Sequence, residues 1–228
     1  MVESSDIMAF DAKVGNPWSI LPIKNKKYAK DLVEVHLSDR SLSSLEKFDQ
    51  FPNLEVIWLN NNSVSETFVG LTLIHLLQLQ NLDDIASNFR VKEVYCQNNQ
   101  LSNIEGIRRF KFLQVLLIGD NQLRDLDVFL EFLSRFAFLE QLDLFGNPLA
   151  EEPDYRLKII KAMPQIKILD RHKVTQIERT KADALAEREA AEALRRSPTK
   201  AKKGAAAPGG GAMKGFSAGE KDLYRNVR

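Results

Sequence analysis

Residues 113–123 read LQVLLIGDNQL, and the same arrangement of residue types returns at 32–42 (LVEVHLSDRSL), 54–64 (LEVIWLNNNSV), 91–101 (VKEVYCQNNQL) and 139–149 (LEQLDLFGNPL). A shortened copy, IKILD, begins at Ile166. Successive starts lie 22, 37, 22, 26 and 27 residues apart. A unit returning at such spacing is one layer of a stacked chain, because no single layer buries its own apolar face. Within each unit the first, fourth and sixth residues are apolar, as in a short strand that sends alternate side chains into a core. The ninth residue is Asn62, Asn99, Asn121 or Asn147; the first unit has Arg40 there and reads as a degenerate terminal layer. An asparagine side chain both donates and accepts, so stacked units would carry a ladder of amides pairing the backbone of each turn. Beyond the turn, apolar residues recur every third position: Leu42, Leu45, Phe48, Phe51, and again Leu101, Ile104, Ile107, Phe110. That period predicts 3₁₀ or short helical segments on the convex side.

The interval of 37 marks an insertion at residues 65–90. Its segment 69–89, VGLTLIHLLQLQNLDDIASNF, predicts one long repeat with a buried convex helix; an exposed apolar docking surface is the alternative. The flanks read differently. Residues 1–31 hold an apolar knot (Trp18, Ile20, Leu21, Ile23) and the basic run KNKKYAK, suited to covering the first layer. Residues 175–196, TQIERTKADALAEREAAEALRR, predict a long helix opened by a Thr175–Glu178 capping box. Apart from Ile177, Leu185 and Leu194 its apolar residues are alanines, so it is expected to project into solvent or lie on a partner. Residues 197–228 form a flexible basic tail, with fourteen Gly, Ala or Pro between 197 and 219 and a terminal motif EKDLYRNVR. The expected segments are therefore 1–31 as flank, 32–149 as repeats, 150–174 as cap, 175–196 as helix and 197–228 as tail.

The segment NPLAEEPDYRLKIIKAMPQIKILDRHKV (147–174) sharpens the reading. The repeats resemble the 22-residue subclass of leucine-rich repeats, and this segment resembles the C-terminal cap shared by several such proteins. Asn147-Pro148, Tyr155-Arg156, Pro164 and Leu169-Asp170 stand at the characteristic points of that cap. The resemblance implies an α/β fold: a right-handed leucine-rich-repeat solenoid with a parallel concave sheet, a helical or 3₁₀ convex side, a C-terminal cap and a projecting C-terminal helix. Proteins with this cap include the outer-arm dynein light chain, the spliceosomal A-prime protein and leucine-rich-repeat proteins of cilia. A non-catalytic protein-binding adaptor of a large assembly is thus expected, placed foremost in a ciliary or flagellar axoneme. A ribonucleoprotein subunit, or a regulator docking a phosphatase or motor, are the alternatives.

Composition agrees with an interaction protein. The single cysteine, Cys96, excludes a disulfide framework, and its sixth-position place makes it a small core residue rather than a reactive thiol. With only His36, His75 and His172 beside it, no metal cluster is expected; no glycine-rich phosphate loop is present, so no cofactor and no enzyme activity are expected. No secretory signal is read at the N-terminus, and the leucine-rich stretch near 69–82 is too interrupted for a membrane span, which predicts a cytoplasmic protein. The net charge of +1 divides into +7 on residues 195–228 and −6 on the rest. That asymmetry points the tail to an acidic surface such as tubulin, or to a merely solubilising role.

The third, fifth and seventh residues of each unit should face outward on the concave sheet. They form the columns Glu34, Val56, Glu93, Val115, Gln141, Ile168; His36, Trp58, Tyr95, Leu117, Asp143, Asp170; and Ser38, Asn60, Gln97, Gly119, Phe145, His172. Val56, Trp58, Asn60, Glu93, Tyr95, Gln97, Val115, Leu117 and Phe145 are the candidate partner-binding residues, since aromatic and aliphatic side chains on a polar face mark a protein-binding patch. The alternative is that a flanking segment of the chain covers them. No Lys or Arg falls in these columns, which argues against gripping a nucleic-acid backbone.

Overall fold

The computed structural model describes residues 13–62 and 79–196 of the chain. Its elements run β1 (Lys13–Gly15), α1 (Lys26–Asp31), β2 (Glu34–His36), β3 (Leu42–Leu45), β4 (Val56–Trp58), β5 (Glu93–Tyr95), β6 (Val115–Leu117), α2 (Leu126–Leu133), β7 (Gln141–Asp143), α3 (Tyr155–Ala162), β8 (Ile168–Leu169), β9 (His172–Lys173) and α4 (Gln176–Arg196). One sheet orders β2-β4-β5-β6-β7-β8-β9, parallel from β2 to β8, with β9 antiparallel at the end. Each parallel strand comes from one repeat, and the register pairs equal positions: Glu34 with Val56, Val56 with Glu93, Glu93 with Val115, Val115 with Gln141. The architecture is the α/β repeat solenoid that the sequence pattern predicts.

The core follows from the same register. The fourth and sixth residues, from Val35 and Leu37 through Leu142 and Leu144, are fully buried, Cys96 among them. Burial pushes the Cys96 thiol far above its ordinary range, so it is a packing residue. The convex side uses short 3₁₀ turns at Phe48–Gln50, Asp83–Ile85 and Glu105–Ile107, and the longer 26-residue interval gains a full helix, α2. Leu42 and Leu45 are buried as expected but lie in a strand, because β1 pairs with them in parallel. The N-terminal flank is bound to the convex side of the first repeat in the same way: Trp18 meets Phe51 edge-on at 5.1 Å and donates to Gln50 Oε1 at 2.9 Å. Within the insertion, Leu79, Leu82 and Ile85 are buried at three-residue spacing around a 3₁₀ turn. Of the segment 69–89 on which a convex helix is expected, residues 79–89 carry the 3₁₀ turn Asp83–Ile85 and no α-helix, and residues 69–78 lie outside the described residues.

Two features position the turns. The ninth-position amides are buried and bonded to two layers at once. Asn121 Nδ2 donates to Cys96 O at 3.0 Å, to Ile118 O at 2.9 Å and to Gly119 O at 3.0 Å, while Leu101 N–H donates to Asn121 Oδ1 at 2.9 Å. Asn62 and Asn147 repeat the pattern toward Leu37 O and Leu59 O, and toward Ile118 O and Leu144 O. Asn99 donates to Leu59 O and Cys96 O; Val64, the counterpart of the residues whose N–H donates to the amide oxygen in the other layers, lies outside the described residues. The eighth residue of every unit is left-handed: Asp39, Asn61, Asn98, Asp120 and Gly146, with φ of 57°, 56°, 53°, 55° and 77°. These are the residue types that tolerate this conformation, and they end each strand at a fixed point.

The cap departs from a plain continuation of the repeats. Asp170 and Arg171 both have positive φ, so the chain reverses into β9 where a sixth core position would fall. Asp170 turns inward, accepting from Leu144 N–H at 2.9 Å and from the Tyr155 hydroxyl at 3.1 Å. Asp170 and His172 are therefore not members of the concave columns: a shortened repeat has no next layer to hold it extended. Arg156 links cap and helix, donating to Leu169 O at 2.9 Å and pairing with Glu178 at 2.7 Å. Thr175 N–H and Oγ1–H donate to Glu178 Oε2, and Glu178 N–H donates back to Thr175 Oγ1, the expected capping box. These bonds hold the Glu178 carboxyl at about 2, with the Arg156 guanidinium the largest cause. The first half of α4 does not project. Ala182 and Leu185 are buried, and Arg179 donates to Pro164 O and Ile166 O, so that half is docked on the cap. A single buried stripe sufficed, which the alanine-rich composition concealed. Residues beyond Leu185 are largely exposed.

Candidate functional site

The concave sheet is where the solenoid brings side chains from distant repeats into rows. Strands about 4.8 Å apart align residues of equal position, so an aromatic at the fifth place of one repeat stands beside the fifth residue of the next. His36, Trp58 and Tyr95 form such a row on β2, β4 and β5. Trp58 and Tyr95 stack at 3.8 Å between centroids with planes 2° apart, and His36 stacks on the other face of Trp58 at 5.3 Å. Leu117 on β6 continues the row by register. Trp58 and Tyr95 are both half-buried, so their ring faces are spent on each other while their edges meet solvent.

The third-position row tethers this stack. Trp58 Nε1–H donates to Glu34 Oε1 at 2.6 Å, and the Tyr95 hydroxyl donates to Glu93 Oε2 at 2.6 Å. Burial, with the Glu93 carboxylate accepting its proton, pushes the Tyr95 hydroxyl up to about 12. Val56 lies between Glu34 and Glu93 in register, and Val115 follows; both are half-buried. Asn60 and Gln97 stand in the seventh row, half-buried, each with its amide oxygen closed off from solvent and unpaired. At the strand ends Asn61 donates to Asp39 Oδ1 at 2.9 Å and Asn98 to Asn61 Oδ1 at 2.8 Å.

Beyond β6 the face changes. Asp143 is buried because Arg171, thrown outward by the cap's reversal, pairs with it at 2.9 Å. The guanidinium of Arg171 also stands 6.0 Å from the ring centroid of Phe145, which is 61% exposed. The absence of a basic side chain read from the columns thus ends at this edge: Arg171 sits at a nominal core position and reaches the sheet from the cap. Gly119 is buried, with space for a side chain closed by Phe145 O at 3.1 Å and Asp143 Oδ1 at 3.2 Å from an added Cβ. Of the nine candidate residues, Val56, Trp58, Asn60, Glu93, Tyr95 and Gln97 share two adjacent strands, Val115 and Leu117 adjoin them, and Phe145 stands apart beside Arg171.

The sequence columns missed a second apolar feature. Phe112 and Phe138, each the residue before a repeat start, are half-exposed and lie 6.2 Å apart along the sheet's lateral edge. Phenylalanine at that place in two successive repeats was the available signal. A groove of about 400 Å³ lies between α2, α3 and α4, lined by Leu130, Leu157, Leu185 and Lys161 among others. Among the described residues no His, Cys, Asp and Glu side chains group as metal ligands, and no helix is long and apolar enough to cross a membrane.

A leucine-rich-repeat family model matches residues 74–197, more than half of the chain. The chain belongs to the leucine-rich-repeat family. Among curated relatives, this leucine-rich-repeat chain is 31% identical over 131 residues to dynein axonemal assembly factor 11 of Trypanosoma brucei brucei, covering 48% of the chain and 34% of that protein. It is 31% identical over 129 residues to U2 small nuclear ribonucleoprotein A′ of Candida albicans, covering 46% of the chain and 54% of that protein. The chain thus spans about a third to a half of these relatives. A chain of the solved Drosophila melanogaster SNF/U2A′ complex shares the fold, with TM-score 0.54 and 24% identity over 71% of this chain and 86% of that one. Leucine-rich-repeat domains are protein-binding domains.

Proposed function

We propose that this chain is a non-catalytic adaptor that holds a protein partner on its concave sheet, within a large intracellular assembly. The carrying observation is the half-buried Trp58–Tyr95 stack, tethered by Glu34 and Glu93 and bordered by Val56, Val115 and Leu117. Rigid aromatics at the centre of a patch are the usual energetic anchors of protein interfaces. The six parallel strands span roughly 24 Å, room for one helix or one extended segment. The docked half of α4, its exposed continuation and the basic tail after it offer a second contact region, the tail suiting an acidic surface of the tubulin kind.

The assembly we favour is a ciliary or flagellar axoneme, with the protein in the cytoplasm of that organelle. The likeness to dynein axonemal assembly factor 11 supports it. The order of long and short repeats, with TQIER after the cap, also resembles leucine-rich-repeat-containing protein 72. The alternative is a ribonucleoprotein subunit, supported by the likeness to U2 small nuclear ribonucleoprotein A′; there too the concave face would hold a protein.

Proximity labelling from the tagged full chain, run in parallel with Trp58→Ala, tests both levels. Axonemal neighbours that fall away at least about thirty-fold in the variant are expected, given the 2 kcal/mol or more of a central aromatic anchor. Nuclear splicing neighbours would select the alternative. A labelled set unchanged by Trp58→Ala, in a variant that melts as a folded protein, would refute the concave site.

A further inference from the structure

The chemistry of the concave strip over β2, β4 and β5 is one-sided. Its charged side chains are the carboxylates Glu34 and Glu93, acceptors only. Glu34 and Glu93 are spaced two strands apart with Val56 between them, and each spends one oxygen on the aromatic stack. The second oxygen of each carboxylate accepts nothing among the described residues. The amide oxygens of Asn60 and Gln97 lack a donor, on the strand positions that follow Trp58 and Tyr95. In the adjoining row the amide donors of Asn61 and Asn98 are used within the row, which ends on the Asp39 carboxylate. The donors of the stack, the Trp58 indole and the Tyr95 hydroxyl, point into Glu34 and Glu93, and His36 Nε2 stands 3.0 Å from the same Glu34 oxygen, Oε1. No Lys or Arg stands in the nine outward positions of these three strands.

We propose that this strip receives an arginine- or lysine-bearing segment of a partner protein, the cationic side chain lying over Val56 between the Glu34 and Glu93 carboxylates. The inference rests on the reading of the concave sheet as the partner site and names the partner's chemistry. Two strand spacings, roughly 10 Å between backbones, leave room for one long side chain between two carboxylates. A guanidinium supplies five donors and no acceptor, which complements two carboxylates that each keep one oxygen without a donor. Its apolar stem would cover Val56 and the ring edges, as long basic side chains do. Turning toward such donors would also relieve the unpaired amide oxygens of Asn60 and Gln97, which are costly as they stand. An acidic segment would meet two carboxylates at close quarters, and a nucleic-acid phosphate would meet the same repulsion.

A displayed random-peptide library selected on the full chain tests this. Selected peptides should be enriched in Arg and Lys beside apolar residues and depleted in Asp and Glu. Affinity of one such peptide, read by fluorescence anisotropy, should fall about tenfold or more in Glu34→Gln/Glu93→Gln and weaken as salt is added. The double variant keeps acceptors for Trp58 and Tyr95, and its melting curve verifies the fold. Peptides without basic enrichment that still lose binding in Trp58→Ala overturn this inference and leave the concave site standing; peptides indifferent to both variants overturn both. A rise in peptide affinity on deleting residues 197–228 overturns the partner as occupant and puts the chain's own basic tail there. Self-association that Glu34→Gln/Glu93→Gln abolishes overturns it in favour of a second copy.

Discussion

Replacing Asn121 by alanine isolates the device that joins one repeat to the next. The side chain is 1% exposed, accepts from Leu101 N–H and donates to Cys96 O, Ile118 O and Gly119 O. Alanine leaves the buried Leu101 N–H without a partner, at about 1–3 kcal/mol, and removes both amide hydrogens from carbonyls that have no water to replace them. A total near 3 kcal/mol is expected, which for a domain of this size lowers Tm by about 6–12 °C. Asn121→Asp sharpens the test. It keeps the acceptor for Leu101 but turns a carboxylate oxygen toward three carbonyl oxygens, so it should melt below the alanine variant unless it takes up a proton. Asn98, exposed and one layer away in the left-handed turn position, supplies a control whose glycine variant keeps that conformation and loses a surface amide bond. Thermal unfolding followed by circular dichroism reads all three. An Asn121→Ala midpoint equal to that of the parent would show that the amide bonds do not carry the turn and that the repeat register is misassigned.

Leu59→Ala, one residue beyond Trp58 and fully buried, should destabilise by about 2–5 kcal/mol as a core truncation, measured by denaturant unfolding. Trp58→Ala should cost less, but more than an ordinary surface change, because it strips Tyr95 and His36 of their stacking partner. The Glu178 carboxyl is held at about 2 in the folded chain, below its ordinary 4.5; its contribution is present above the ordinary value and drains away as pH falls from there toward 2. The melting difference between the parent and Glu178→Gln should therefore be full at neutral pH and shrink over that acid window, and a constant difference would contradict the Arg156 pairing. Deleting residues 197–228 should leave the melting curve unchanged, since the cap is closed by α3 and the docked half of α4; an early-melting or insoluble product would show that the tail packs on the solenoid.

The sheet was readable in the sequence because it is periodic and local. A strand of three residues needs only an alternation, and the alternation of Val94, Tyr95 and Cys96 already says which side chain is outward and which is not. Register came with it, since equal positions of successive repeats must pair once the chain coils. The same alignment contained more than the ninth-position amide. Its eighth column, Asp39, Asn61, Asn98, Asp120 and Gly146, is a list of residues that accept positive φ, and it marks where every strand ends. Asn88 was not legible in that way: it is buried and donates to Phe48 O and Phe51 O across 40 and 37 residues, on a convex side whose intervals vary in length.

The cap shows why periodic reasoning fails at a boundary. A column assignment presumes that the next layer exists, because only a following strand holds residues of the present one extended. At Ile168–Leu169 that support ends, and two successive left-handed residues, Asp170 and Arg171, reverse the chain. Neither residue type announces the reversal, since an aspartate at the fifth position is also found at Asp143. The consequence reaches the candidate site. Arg171, which a column count assigns to the core, lands on Asp143 and beside Phe145, so the concave face is acceptor-rich at its N-terminal end and closed by an internal ion pair at the other. Asp143 is thereby paired and buried, whereas Glu34 and Glu93 each keep one oxygen without a donor among the described residues. The polarity of the face along the solenoid is thus set by the cap, several repeats away from the aromatic stack. A partner held on that face as proposed would meet a gradient of charge favouring its basic end over β2 rather than β7.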